Sequence, residues 1–349
     1  MRSRFPVSVR VPAATLAVSA LLAGGAGTAL AQSDGSFEAT PSASAAAPAE
    51  RGVAAKGELR PSDVSLRLKG VRGGRLTAGN KLTVAGTLRP YAKGEKVTIL
   101  LTRGKKTVLR KTEKVKAKGK GSSLGQFSLS KRIVKPGRYS VQAIHKKSKT
   151  LAGSKDRSGT FKMRYPDLGP GSDGDVVKAF NHLLANLGYV NDEGSKYDSA
   201  TGRAVLAFHK VNNLPRTEKA TSGDFKKLAK GKGGYDLKWP EGGKHVEADL
   251  SRQVMVLAKG DEVDEIYHIS SGAPATPTIL GKFNFYRKDA GYNSLGMYYS
   301  AYFIRGYATH GYHSVPDYPA SHGCLRNPIP DSVHIYNWID IGDPIYVYR

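Results

Sequence analysis

The chain has 349 residues, 40% hydrophobic and 24% charged, with a formal net charge of +25 and a single cysteine. That length and balance fit two or three globular domains and exclude a chain too polar to bury a core. One thiol excludes an internal disulfide framework.

Residues 1–31 read as a removable export signal. Arg2, Arg4 and Arg10 form a basic start, Ala13 to Leu22 an apolar stretch, and Ala29-Leu30-Ala31 a small-x-small cleavage site before Gln32. Gly24, Gly25 and Gly27 shorten the apolar run, which disfavours a retained membrane anchor. The membrane is then met only transiently, during export, and the expected location is extracytoplasmic. Residues 32–57, rich in Ala, Ser and Pro, read as a flexible linker.

Residues 58–165 read as an all-β, immunoglobulin-like sandwich. Val64-Leu66-Leu68, Leu82-Val84-Gly86, Val97-Ile99-Leu101 and Tyr139-Val141-Ala143 alternate with polar neighbours. Arg103-Gly104-Lys105, Lys118 to Gly121 and Pro136-Gly137 mark turns. This segment carries 29 Lys and Arg against five Asp and Glu, nearly the whole net charge. On an exported chain that predicts an anionic partner such as a wall polymer or lipid head group rather than nucleic acid; the alternative is a solvated surface. Lys114, Lys116, Lys118 and Lys120 would share one side of an extended run.

Residues 166–232 switch to helical period and predict a small three-helix bundle. Val176, Val177, Phe180, Leu183, Leu184 and Leu187 form one apolar stripe, with Asp173 or Asp175 to cap its start and Gly188 its end. Ala204, Val205, Phe208 and Val211 form a second stripe behind Asp198 or Ser199, and Phe225 and Leu228 a third behind Thr221 or Ser222. Leu168-Gly169, Asp175-Val176-Val177, Leu187-Gly188-Tyr189, Tyr197-Asp198, Thr201 and Ala204-Val205 with Phe208 resemble the peptidoglycan-binding module of bacterial wall enzymes. The resemblance implies wall binding; His209 departs from it, since glutamine usually follows the phenylalanine.

Residues 233–349 return to β-rich sequence, read as a mostly antiparallel sandwich or partly open barrel. Alternation runs through Val246-Ala248-Leu250, Gln253-Met255-Leu257, Ile266-His268-Ser270, Phe283-Phe285, Tyr302-Ile304 and Ile345-Val347, with a helix expected between Asp331 and Trp338, capped by Asp331 or Ser332. The chain is thus expected to be multidomain: a β sandwich, a helical bundle and a mostly β domain with one or more short helices.

The lone thiol lies in Ser321-His322-Gly323-Cys324-Leu325, and His310 precedes it by fourteen residues at the end of a predicted strand. A free thiol is scarcely ionised at neutral pH, so a nucleophilic cysteine needs a base. An imidazole beside it would hold a thiolate–imidazolium pair that attacks a carbonyl and forms a thioester. Gly323 allows an unusual turn that aims consecutive N–H groups at one oxyanion.

His310-Gly311, a loop, then Tyr318-Pro319-Ala320-Ser321-His322-Gly323-Cys324-Leu325-Arg326 resembles the L,D-transpeptidase catalytic domain, supported by Thr276-Pro277 and Gly281-Lys282-Phe283. The resemblance implies Cys324 as acyl-accepting nucleophile and His310 as base. It implies oxyanion donors from the backbone of His322, Gly323 and Cys324, and support from Ser321. Arg326 would pair with a stem-peptide carboxylate or brace the loop. The donor would be a tetrapeptide stem of peptidoglycan, cleaved before its terminal D-alanine, and the acceptor a diamino-acid amine on a second stem. No cofactor is implied. The loop is shorter than in well-known members, which leaves His313 as an alternative base. Arg326 stands where asparagine is common. Tyr298 and Tyr299 are candidates to border the cleft.

Three rivals remain at this stage. His310, His313, His322 and Cys324 would also make a zinc ligand set. Water in place of an amine would give an L,D-carboxypeptidase or another wall-peptide cysteine hydrolase. A dead catalytic domain would leave a non-catalytic wall-binding protein.

Overall fold

In a computed structural model, residues 59–349 are described; the expected signal segment and linker lie outside them. The first part of the fold is two sheets. β1 (Asp63–Lys69), β2 (Arg75–Thr77), β3 (Lys81–Arg89), β4 (Lys96–Arg103), β5 (Lys106–Lys114), β6 (Lys116–Ala117), β7 (Gly125–Arg132), β8 (Arg138–His145), β9 (Ser154–Arg157) and β10 (Phe161–Arg164) follow one another in the chain. They sort into the orders β1-β3-β7-β6 and β2-β10-β8-β4-β5, with β9 on β8. Alternation gives each sheet one apolar face, and the two faces share a core around Val84, Leu88, Ile99, Phe127, Val141 and Phe161.

Three helices follow: α1 (Asp175–Ala185), α2 (Ser199–Val211) and α3 (Ser222–Leu228). α1 is capped by neither predicted aspartate: its N-cap is Gly174, and Asp175 sits in the first turn, where it takes Arg132 at 2.6 Å. Asp198 caps α2 by accepting from Thr201 N–H, and Thr221 caps α3 in a capping box with Asp224. The helices do not keep their core to themselves. Phe180, Val205, Phe208 and Phe225 pack with Val254, Val256 and Ile266 of the following sheet and with Ala78 in the turn after β2. Only one stripe of α1 is apolar, whereas α2 is buried almost all round, so α2 needs partners on several sides.

The last part is again two sheets. β11 (Lys244–Asp249), β12 (Val254–Lys259), β13 (Glu262–His268), β14 (Gly281–Asn284) and β19 (Pro344–Tyr348) form one, in the order β13-β12-β11-β19-β14. β15 (Arg287–Tyr292), β16 (Tyr298–Ile304), β17 (Tyr307–Tyr312) and β18 (Leu325–Pro328) form the other, in chain order. Val246, Leu257, Phe285, Phe303, Leu325 and Ile345 fill the space between them. Most pairings are antiparallel, but β11–β19 and β17–β18 are parallel. α4 (Ile329–Trp338) starts earlier than expected, at Pro328 as N-cap, because proline's fixed φ suits a helix start. Asp331 is therefore inside the helix and free to pair elsewhere.

Candidate active site

β17 and β18 set the site. Their parallel register places Thr309 beside Leu325, His310 beside Arg326 and Gly311 beside Asn327. Paired residues in a sheet share a face, and the next residue along turns to the other. Thr309, Leu325 and Asn327 are buried on the core side. His310 and Arg326 point to the opposite side. Continuing the register brings Cys324 level with Ala308, on that same side, diagonal to His310 and within about 8 Å between β-carbons. Cys324 indeed packs with Ala308, Tyr302 and Met297.

The turn before β18 is held by backbone and hydroxyl bonds. Ser321 Oγ donates to the Cys324 carbonyl at 2.6 Å and accepts from the Gly323 N–H at 3.0 Å. Gly323 has φ +116°, and a β-carbon there would lie 2.2 Å from the Tyr307 ring. Glycine is thus required twice over, by conformation and by space. Thr276 and Thr278 hydroxyls donate to the carbonyls of Ser321 and Gly323 at 2.9 and 2.8 Å. The Gly323 N–H is thus occupied by the Ser321 hydroxyl.

Burial acts on both groups of the expected pair. Burial pushes the His310 imidazole down to about 4, and the Arg326 charge acts in the same direction against the bond to Gly311. Burial pushes the Cys324 thiol up, with an Ala308 backbone bond and Arg326 opposing it. Both shifts favour the uncharged groups over a thiolate–imidazolium pair. The thiol's hydrogen bond goes to the Gly306 carbonyl at 3.7 Å, not to His310. His310 Nδ1 meets the Gly311 carbonyl at 2.9 Å and must donate to it, which leaves the lone pair on Nε2. One cation, Arg326, acts on both groups, as the shared face requires.

Of the remaining candidates, Arg326 stacks over Tyr312 with its guanidinium 4.1 Å from the ring centroid, and meets no carboxylate among the described residues. His313 lies beyond the end of β17, exposed, with its ring on Tyr312; His310 is 3% exposed. His322 is exposed at the turn. Tyr298 is level with Gly311, and Tyr299 packs its ring edge-on to Tyr336 of α4, so both belong to the helix-covered side of the sheet. Tyr302, not these two, lies beside the thiol. Among the described residues no three or more His, Cys, Asp or Glu are arranged to hold a metal ion.

Sequence reading missed the buttress beneath the turn. Lys210 of α2, 2% exposed, donates to the carbonyls of Gln253 and Ile269 at 3.2 and 2.9 Å. Gln253 bonds Ser271 through both ends of its amide. The Ser271 carbonyl accepts from the N–H groups of Ala320 and Ser321. Arg216 donates to the carbonyls of Asp317 and Ser251, and Arg203 grips Asp331 of α4 at 2.8 and 2.9 Å. A lysine and two arginines in or just after an amphipathic helix look like solvated residues; only the neighbouring sheet makes them anchors.

Comparison with known proteins finds a family match for the last part of the chain. Residues 243–347 match the YkuD family, described as the L,D-transpeptidase catalytic domain. An L,D-transpeptidase structure from Xylanimonas cellulosilytica is 31% identical over 52% of this chain and 98% of that one, with a TM-score of 0.48. One from Stackebrandtia nassauensis is 23% identical over 53% of this chain and 97% of that one, with a TM-score of 0.34. The catalytic domain of an E. faecium L,D-transpeptidase is 25% identical over 31% of this chain and 98% of that one, with a TM-score of 0.27. No curated protein matches.

Proposed function

We propose that this chain, whose residues 243–347 match the L,D-transpeptidase catalytic domain, acts outside the cytoplasm, joining peptidoglycan stem peptides through a Cys324 thioester. The observation that carries this reading is the common strand face of Cys324, His310 and Arg326, with the turn between Ser321 and Cys324 held rigid beneath it.

The steps start from an uncharged thiol and imidazole. The thiol turns from Gly306 toward His310, whose Nε2 takes its proton as sulfur attacks the carbonyl before the terminal D-alanine. The resulting oxyanion sits at the His322 and Cys324 amides. As the tetrahedral centre collapses, the C–N bond breaks and the leaving amine takes the proton from His310. A diamino-acid amine on a second stem then attacks the thioester, gives its proton to His310, and releases the thiol. The product is a link between two diamino acids. Arg326 holds a stem carboxylate, since its guanidinium is stacked on Tyr312 and meets no carboxylate among the described residues.

Residues 166–232 serve as the wall-binding module, on the strength of the motif resemblance, and Lys210 ties them to the sheet that carries Gln253 and Ile269. The domains are then 58–165, 166–232 and 233–349, behind a signal segment and linker.

The test is incubation with isolated tetrapeptide muropeptides and mass spectrometry of the products. Dimers joined between diamino acids are expected, with a Cys324 acyl adduct on the intact protein and neither in Cys324→Ala. Tripeptides without dimers would replace this reading with an L,D-carboxypeptidase. Dimers from Cys324→Ala would refute the thioester.

A further inference from the structure

Residues 59–165 hold 29 Lys and Arg but four Asp and Glu. Three of those four acids are engaged nearby: Glu95 accepts from Ser148 and Thr150 and pairs with His145, Asp156 accepts from the Leu66 N–H, and Glu113 pairs with Lys111 at 3.1 Å. The positive charge is thus largely uncompensated from within, and part of it is organised.

The outward face of the sheet β1-β3-β7-β6 is a trough. Its register lines up Ser65, Thr87, Gln126 and Lys116 in one row and Arg67, Ala85 and Ser128 in the next. The floor is small and hydroxyl-bearing, with Ser65 and Thr87 hydrogen-bonded at 2.7 Å. One wall is Arg67 and Lys69 on β1. The other is Lys114, Lys116 and Lys118, exposed along the run that leaves β5 and joins β6. Three strand spacings separate the walls, about 14 Å, and alternate lysines stand about 7 Å apart. The groove encloses about 900 Å³, with Glu113 as the acid on its lining.

We propose that this groove binds a linear, hydroxyl-rich polymer of phosphodiester-linked polyols, laid along the strands between the two cationic walls. Where the chain meets such a polymer rests on the wall-facing reading above; the groove itself does not. The apolar residues of the lining, Leu66, Ala85 and Phe127, are buried or half-buried, so none stands out for a nucleobase to stack on or to enter a bilayer. Small floor residues let a flexible backbone approach the sheet, and their hydroxyls complement polyol oxygens.

The test is binding of poly(glycerol phosphate) to the full chain across a salt series. Five engaged cations predict a log–log salt slope of roughly −3.5. Lys114→Ser/Lys116→Ser/Lys118→Ser should cut the slope to about −1.4 and weaken binding tenfold or more at 0.15 M salt. Ser128→Tyr, which keeps every charge but fills the floor, should weaken binding comparably. Lys105→Ser/Lys106→Ser/Lys149→Ser removes equal charge away from the groove and should change affinity less than about threefold. Equal losses from the two triple variants would overturn the proposal, as would equally good competition by single-stranded DNA of matched charge or by phosphatidylglycerol vesicles. Groove variants should still join soluble muropeptides. Polymer binding without any joining by the wild type would sink the catalytic reading and leave the groove standing.

Discussion

Replacing Lys210 by methionine probes the buttress with a predictable pH signature. The side chain is 2% exposed, and burial, with Arg216 adding to it, lowers its amine from 10.5 to about 7. The folded amine therefore holds its proton less tightly than the unfolded one. Between pH 7 and 10.5 the unfolded chain carries more protons, so stability rises with pH across that window and is flat below it. From pH 7 to 9 this one group contributes a gain of about 2 kcal/mol. Lys210→Met abolishes that gain and leaves the Gln253 and Ile269 carbonyls without their donor, at about 1–3 kcal/mol each. Near pH 7 the relief of a buried charge offsets much of this loss; at pH 9 it does not. The gap between wild type and variant should widen by about 2 kcal/mol from pH 7 to 9. Urea unfolding followed by tryptophan fluorescence reads the relevant part, because both tryptophans, Trp239 and Trp338, lie in residues 233–349. Parallel stability–pH curves for the two proteins would refute the account of Lys210.

Iodoacetamide labelling of Cys324 tests the neutral resting pair. With the thiol raised above its ordinary 9.0, the rate should climb about tenfold per pH unit from 6 to 9; a plateau across that range would mean a thiolate–imidazolium pair. Gly323→Ala should lower cross-linking by about 100-fold, since the new β-carbon meets Tyr307 at 2.2 Å and displaces the nucleophile. Normal turnover by that variant would show the turn to be slack. Ser321→Ala leaves the Gly323 N–H unpaired in a buried turn and should cost about 1–3 kcal/mol of stability. Ser321→Thr keeps the hydroxyl and should restore most of it, as thermal denaturation would register.

Period-two alternation made the first sandwich readable, because each of its strands buries one side and wets the other, as β7 does through Phe127 and Leu129. Period 3.6 did the same for α1 to α3. β15, with no buried residue, and β18, four residues long, left too weak a pattern to read. The start of α4 was misplaced because its cap is a proline with no side-chain acceptor.

Composition and local pattern by themselves determined that one stretch of the chain, residues 58–165, is strongly basic, and that a lone thiol follows His310 within a Ser-His-Gly-Cys stretch. Those properties are local, written in neighbouring residues. Only the tertiary structure decided that β17 and β18 run parallel, which turns His310, Arg326 and Cys324 to one face. It alone decided that burial works against charge on the thiol and imidazole, and that Lys210, Arg203 and Arg216 anchor to the neighbouring segments. Each of these depends on which distant segment packs alongside, and a side chain's charge state and partners follow from that packing.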